Sequence, residues 1–135
     1  MTAEHEIVCG LLVLEDRVLL CHRRADRAFY PDVWDFPGGH VEDGEAPEAA
    51  LIRELGEELG ITIPYPADPP IARFIDTEQD LSVWMIHDWT GSVVNAAPEE
   101  HDDLRWFTAA EVEGIAIADE GYLPLIFQAA RGRSR

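Results

Sequence analysis

The chain has 135 residues, a length suited to one domain that buries roughly two-thirds of its unfolded surface. Its 10 Lys+Arg stand against 27 Asp+Glu, a formal charge of −17 that argues against nucleic acid and anionic membranes as partners. No stretch is long and apolar enough to span a bilayer and none reads as a signal peptide, so a cytoplasmic protein is expected. The two cysteines, Cys9 and Cys21, lie inside apolar runs and are expected to be reduced thiols. The five histidines lie apart, with none at a paired zinc spacing.

Glu6 to Leu14 (EIVCGLLVL) is apolar and rich in β-branched residues, a strand buried on both faces for much of its length. Glu15-Asp16 makes a turn and Arg17 to His22 returns, so the two segments predict a hairpin. Arg23 to Asp32 is polar and aromatic with a proline, a loop placed over a site. Val33 to Gly39 reads as a short strand ending in a Pro37-Gly38-Gly39 turn, whose glycines let backbone approach a ligand closely. Pro47 to Leu59 has no internal proline and is dominated by Ala, Leu, Glu and Arg, which predicts a helix. Pro47 fits its first position, which leaves Ala46, a poor cap, in the N-cap slot.

Pro69 to Asp76 and Leu81 to Trp89 read as two more strands, turning at Glu78-Gln79-Asp80. Asn95 to Asp103 is a polar loop and Leu104 to Phe107 a short strand. Thr108 caps a short helix over Ala109 to Glu113, and Tyr122 to Ala130 forms the last helix before a basic tail, Arg131 to Arg135. Strands alternating with two principal helices predict an α/β protein, a mixed sheet in an α/β/α sandwich. Periodicity alone leaves the strand order open.

On the central helix, Leu51, Ile52, Leu55 and Leu59 gather on one face. Glu54, Glu57 and Glu58, spaced i, i+3, i+4, gather on the adjoining face. Like charges at these spacings cost roughly 0.2–0.5 kcal/mol per pair on an exposed helix, and Arg53 is the one cation nearby. A merely solvated acidic face would have the same composition. The glycines that bracket the helix, Gly38-Gly39 and Gly60, argue instead for a site. Oxygen ligands on a rigid helix suit a hard cation, Mg²⁺ or Mn²⁺.

Gly39, Glu45, Arg53, Glu54, Leu55, Glu57, Glu58, Gly60 and Ile61 fill every fixed position of the pattern G-x5-E-x7-R-E-U-x-E-E-x-G-U, with U aliphatic. The stretch Gly39 to Ile61 thereby resembles the signature box of the Nudix hydrolases, which cleave a diphosphate linkage with divalent cations. The resemblance covers essentially the whole chain and implies one Nudix domain over residues 1–135, with the Nudix fold. It implies Glu54, Glu57 and Glu58 as ligands of Mg²⁺ (Mn²⁺ as a substitute), and the carbonyl of Gly38 as a further ligand. Arg53 would orient a glutamate through an ion pair, and Glu45 would steady the loop and helix start. Glu100 sits where the family often places an extra glutamate, acting as metal ligand or general base, and Glu99 beside it leaves the register open by one.

The run from His22-Arg23-Arg24 through Phe36-Pro37-Gly38-Gly39 is similar, without gaps, to the MutT-like branch of the family. This implies Arg23 and Phe36 as substrate contacts. That branch reads its base with an asparagine just before the last helix, where this chain offers Asp119, Glu120 and Tyr122. Asp119 could accept from guanine N1–H and N2–H₂, or could equally cap a helix. Markers of the ADP-ribose and dinucleoside polyphosphate branches are missing from Phe74 to Gln79, and the upstream coenzyme A pattern is incomplete.

The expected activity is therefore metal-dependent hydrolysis of a nucleoside triphosphate, such as the oxidised 8-oxo-dGTP, to a monophosphate and pyrophosphate. Glu57, Glu54, Arg53 and Glu100 would be its catalytic residues. One alternative is hydrolysis of another nucleoside diphosphate derivative, a nucleotide sugar or ADP-ribose. Another is a non-catalytic nucleotide-binding regulatory domain, against which the complete set of box glutamates counts. The partner is a small nucleotide, and a homodimer is left open.

Overall fold

The computed structural model describes residues 5–28 and 31–131. Two loop residues expected over the site, 29–30, and most of the basic tail, 132–135, lie outside them. The apolar N-terminal segment forms β1 (His5–Leu14), and Arg17–Arg23 returns beside it as β2. Glu15, at φ 57°, takes the left-handed turn position between them. The hairpin register is Val13↔Val18 and Leu14↔Arg17.

β3 (Trp34–Asp35) and β4 (Gly38–His40) follow, then α1 (Pro47–Leu59), β5 (Ala72–Ile75), β6 (Gln79–Ile86) and β7 (His101–Phe107). Two short elements, α2 (Ala109–Val112) and a 3₁₀ turn at Glu120–Tyr122, lead into α3 (Leu123–Ala129). The strands form one mixed sheet in which β3, β2, β1, β6 and β5 run side by side. β4 also pairs with β1, and β7 with β2. β1 and β6 are parallel from His5↔Gln79 to Leu12↔Ile86, and the other named pairs are antiparallel.

Buried residues on β1 alternate between two cores, as the two-residue period of a strand requires. Val8 and Leu12 pack with Leu51, Leu55 and Leu59 of α1, while Cys9, Leu11 and Val13 pack with Ile126 and Ala129 of α3. The sheet is thus covered on both faces, the expected α/β/α sandwich. Each fully buried leucine contributes roughly 1.5–3 kcal/mol over an exposed one. Cys9 and Cys21 are free and buried, and loss of water pushes both thiols well above their ordinary range.

Several boundaries differ from the sequence reading, four of them for an identifiable physical reason. Pro37-Gly38-Gly39 is not a turn: Gly38–His40 is strand, paired Cys9↔Gly38, Val8↔Gly39 and Ile7↔His40. A Cβ at Gly38 (φ 156°) would lie 2.0 Å from the Val8 carbonyl oxygen, so the glycine permits a backbone approach that no other residue allows. β5 begins at Ala72, beyond Pro69-Pro70, which cannot donate to a ladder. β6 begins at Gln79, because the Asp76 carboxylate accepts from the N–H groups of Glu78 and Gln79, both at 2.8 Å, and turns the chain earlier than expected. β7 reaches back to His101: pairing with β2 overrides the low strand preference of the polar His-Asp-Asp run.

The helix α1 matches the expected span. Ala46 is its N-cap in extended conformation and makes no side-chain cap bond, and Gly60 closes the C-terminus at φ 71° with its N–H on the Gly56 carbonyl, 3.1 Å. Ala46 is exposed, so a hydroxyl fits there without repacking. Ala46→Ser is expected to stabilise the protein by roughly 0.5–2 kcal/mol by supplying an acceptor for an orphan N–H. Thermal unfolding measures it; an unchanged or lower midpoint refutes the capping argument.

Candidate active site

The three glutamates of α1 do not share one environment. At roughly 100° per residue, Glu58 lies only about 20° from Leu51 and about 40° from Glu54, whereas Glu57 lies about 100° away from Glu58. Glu58 therefore turns under the sheet edge and is 2% exposed. The Glu57 side chain is 59% exposed, and Glu54 lies between these extremes. Reading the three as one face missed this division because Glu58 belongs equally to the border of the apolar stripe.

Glu58 enters a cavity of about 490 Å³ bounded by β4, β1, the segment before β7 and the turn before α3. Its Oε1 accepts from the Gly38 N–H at 3.0 Å. Burial pushes its carboxyl up to about 9, against that hydrogen bond and with help from the charges of Glu100 and Glu54. Glu100 lines the same cavity, 3.5 Å from the Arg27 guanidinium, while Glu99 is not among the described lining residues. Arg23 and Arg27 are the two arginines of the described lining. They offset carboxylates in a chain whose overall charge would repel a phosphate.

Glu54 and Glu57 stand beside this cavity and are not among its described lining residues. Arg53 holds them, donating to Glu54 at 2.9 Å and to Glu57 at 3.3 Å. The same guanidinium donates to both oxygens of Glu45 at 2.9 and 3.0 Å, and to the His40 carbonyl at 3.0 Å. These contacts raise Arg53 and hold Glu45, whose Oε1 also accepts from the Glu42 N–H, down to about 2. Glu54 is raised by burial despite Arg53. Its carboxylate lies against Gly39, where a Cβ would come within 2.4 Å of it.

The nucleotide-contact candidates meet in the same cavity. Arg23, Phe36 and Asp119 all line it. Phe36 is buried and its ring stacks on Tyr122 at 4.5 Å. Asp119 caps the 3₁₀ turn, accepting from Gly121 N–H at 2.8 Å, which is the capping role the sequence allowed.

Three lining residues escaped the sequence reading. Arg27 sat in a segment read as a loop over the site, with no role given to it individually. Asp35, pushed up to about 6 by burial against the Phe36 N–H bond, looked like an ordinary polar strand position. His101 is buried, and burial lowers it despite the neighbouring Glu100. Its position depends on a β-bulge: His22 pairs with Asp103 but Arg23 with His101, so Asp102 is an extra residue in β7. The Asp102 carboxylate meets His22 Nδ1 at 2.6 Å and pins the bulge. Adjacency to Glu100 was the one available signal.

Glu58, Glu100 and His101 offer ligand atoms that all lie within 4.8 Å of one another. Two carboxylates and an imidazole at such spacing fit a divalent cation.

The NUDIX domain model matches residues 4–126. The chain is 32% identical over 116 residues to "Nucleoside triphosphatase NudI" of Enterobacter sp. (strain 638), covering 78% of this chain and 82% of that protein. It is 35% identical over 88 residues to "8-oxo-dGTP diphosphatase" of Escherichia coli (strain K12), covering 64% and 68%. Among solved structures, a MutT NUDIX hydrolase from Burkholderia pseudomallei superposes with a TM-score of 0.75 at 26% identity, over 93% of this chain and 96% of that one. With the box on α1 and this fold around it, the chain belongs to the Nudix hydrolase family, pyrophosphohydrolases that act on phosphoric anhydrides.

Proposed function

We propose that the protein hydrolyses a nucleoside triphosphate, including oxidised forms such as 8-oxo-dGTP, to a nucleoside monophosphate and pyrophosphate, with divalent metal as cofactor. The observation that carries this reading is the pairing inside one cavity of two carboxylates, the buried Glu58 and the partly exposed Glu100, with two arginines, Arg23 and Arg27. Relatives that bear the names nucleoside triphosphatase and 8-oxo-dGTP diphosphatase support the substrate class.

Glu58 and Glu100 would hold the cation from inside the cavity, and Glu54 and Glu57, fixed by Arg53, would extend the acidic rim from outside. The carbonyl of Gly38 would be a further ligand, as the family resemblance implies. A bound divalent cation supplies charge neutralisation for the phosphates and a more acidic water. Glu100, in a loop and not on the helix, approaches from the side opposite the helix, either as a ligand of that cation or, in the alternative role, as acceptor of the proton from the attacking water. Arg23 binds phosphate, and Phe36, backed by Tyr122, forms the wall against which the base lies. Asp119 and Asp35 present carboxyls to donor edges of the base. The charge of −17 keeps nucleic acid away while a small nucleotide enters.

The test is turnover by metal-stripped protein across a panel of nucleoside triphosphates, 8-oxo-dGTP, nucleotide sugars and ADP-ribose, with and without Mg²⁺ or Mn²⁺. Pyrophosphate and monophosphate are expected as products, at negligible rate until metal is returned. Full turnover under chelation refutes the metal reading. Turnover of nucleotide sugars alone refutes the triphosphate reading.

A further inference from the structure

We infer that His101 coordinates the active-site cation together with Glu58 and Glu100, making a mixed nitrogen–oxygen site that selects Mn²⁺ and heavier transition ions over Mg²⁺. The inference rests on the metal-dependent reading above and deepens it.

The His101 imidazole is 4% exposed, and among the described residues its Nδ1 has no hydrogen-bond partner. The other nitrogen, Nε2, lies 4.0 Å from Glu58 Oε1. That is too far for a hydrogen bond, yet a single cation about 2.1 Å from each atom spans it. The side chain lines the cavity, and Glu100, the residue before it, contributes the third ligand atom of the same cluster.

The backbone holds His101 firmly enough for a ligand. Its N–H donates to the Ala97 carbonyl at 3.1 Å, and its own carbonyl accepts from Asn95 Nδ2 at 2.8 Å. The bulge at Asp102 sets the direction in which the strand presents the ring. This fixed geometry gives the imidazole little freedom to turn away.

The consequence is one of metal choice. Mg²⁺ favours an all-oxygen shell, whereas imidazole suits Mn²⁺ less strongly than Co²⁺ or Ni²⁺ but better than it suits Mg²⁺. The sequence-based expectation of Mg²⁺ rested on oxygen ligands alone, because nothing in the spacing placed a nitrogen among them.

The test is electron spin-echo spectroscopy of the full chain loaded with Mn²⁺, paired with calorimetric titration of Mn²⁺ and Mg²⁺. Wild type is expected to show ¹⁴N modulation from a directly bound imidazole, absent in His101→Gln. That variant should bind Mn²⁺ about tenfold or more weakly, with Mg²⁺ affinity changed less than threefold. Mn²⁺ binding without ¹⁴N modulation in wild type overturns the inference and leaves the metal-dependent hydrolase standing. Modulation that persists in His101→Gln overturns it too, since another imidazole would then be the ligand. Failure of wild type to bind either ion sinks both readings. Should His101→Gln not fold, the wild-type spectrum alone decides, with His101→Asn as the second variant.

Discussion

Glu58→Gln is expected to lower kcat by about 10²-fold or more while leaving the fold intact, the size of loss seen when one strong electrostatic element is removed. The amide retains an oxygen for the Gly38 N–H, which Glu58 now accepts at 3.0 Å. With its carboxyl pushed up to about 9, Glu58 is protonated in the metal-free protein at neutral pH, and glutamine copies that neutral form closely. The linkage has a definite sign. A carboxyl raised in the folded state contributes stability that is fully present below its unfolded pKa, near 4.5, and lost as pH rises toward about 9. Metal-free wild type should therefore lose thermal stability relative to Glu58→Gln across that window. Divalent metal should restore wild type and do little for the variant. A kcat loss below threefold would remove Glu58 from the site, and parallel midpoints across pH would contradict its burial.

Arg53→Ala is expected to be nearly as damaging to kcat, about 10²-fold, and more damaging to stability. One guanidinium holds Glu45, Glu54, Glu57 and the His40 carbonyl at 2.9–3.3 Å. Its removal leaves the largely buried Glu54 carboxylate without its cation, at a cost of roughly 1.5–3 kcal/mol for a charged hydrogen bond. Here the linkage runs the other way. Glu45, held down to about 2, contributes stability present above its unfolded pKa of about 4.5 and lost as pH falls through about 2. The midpoints of wild type and Arg53→Ala should consequently converge between those values. Arg53→Lys restores charge without the planar fork and should recover only part of either loss. Complete recovery by lysine would show that the fork is irrelevant.

Legibility in the sequence followed the range of the forces involved. The helix from Pro47 to Leu59 was readable to the residue because proline, the poor cap Ala46 and the terminal Gly60 are local signals. The hairpin of β1 and β2 was equally local. The strand start at His101 was not, since it depends on a ladder with a segment some eighty residues earlier in the chain. The same holds within the site. Identity and spacing pointed to the glutamates, but their division into Glu58 inside and Glu57 outside came from where the sheet edge meets the helix. Asp35, Arg27 and His101 carry no spacing signal, because tertiary packing alone brings them to the cavity.

The parallel ladder between β1 and β6 has a consequence for the order of assembly. β1 precedes the other strands of the sheet, yet its parallel partners, Gln79 to Ile86, lie more than half the chain's length away. Long-range pairing of this kind must close a large loop before its contacts are gained, which places the chain among slow folders. A nascent chain that has just completed α1 possesses Glu58 but lacks Glu100 and His101, the other two members of the cluster that could hold a cation. On the proposed site, a divalent cation would bind only after the long ladder has closed, and its stabilisation would appear as slower unfolding of the finished molecule.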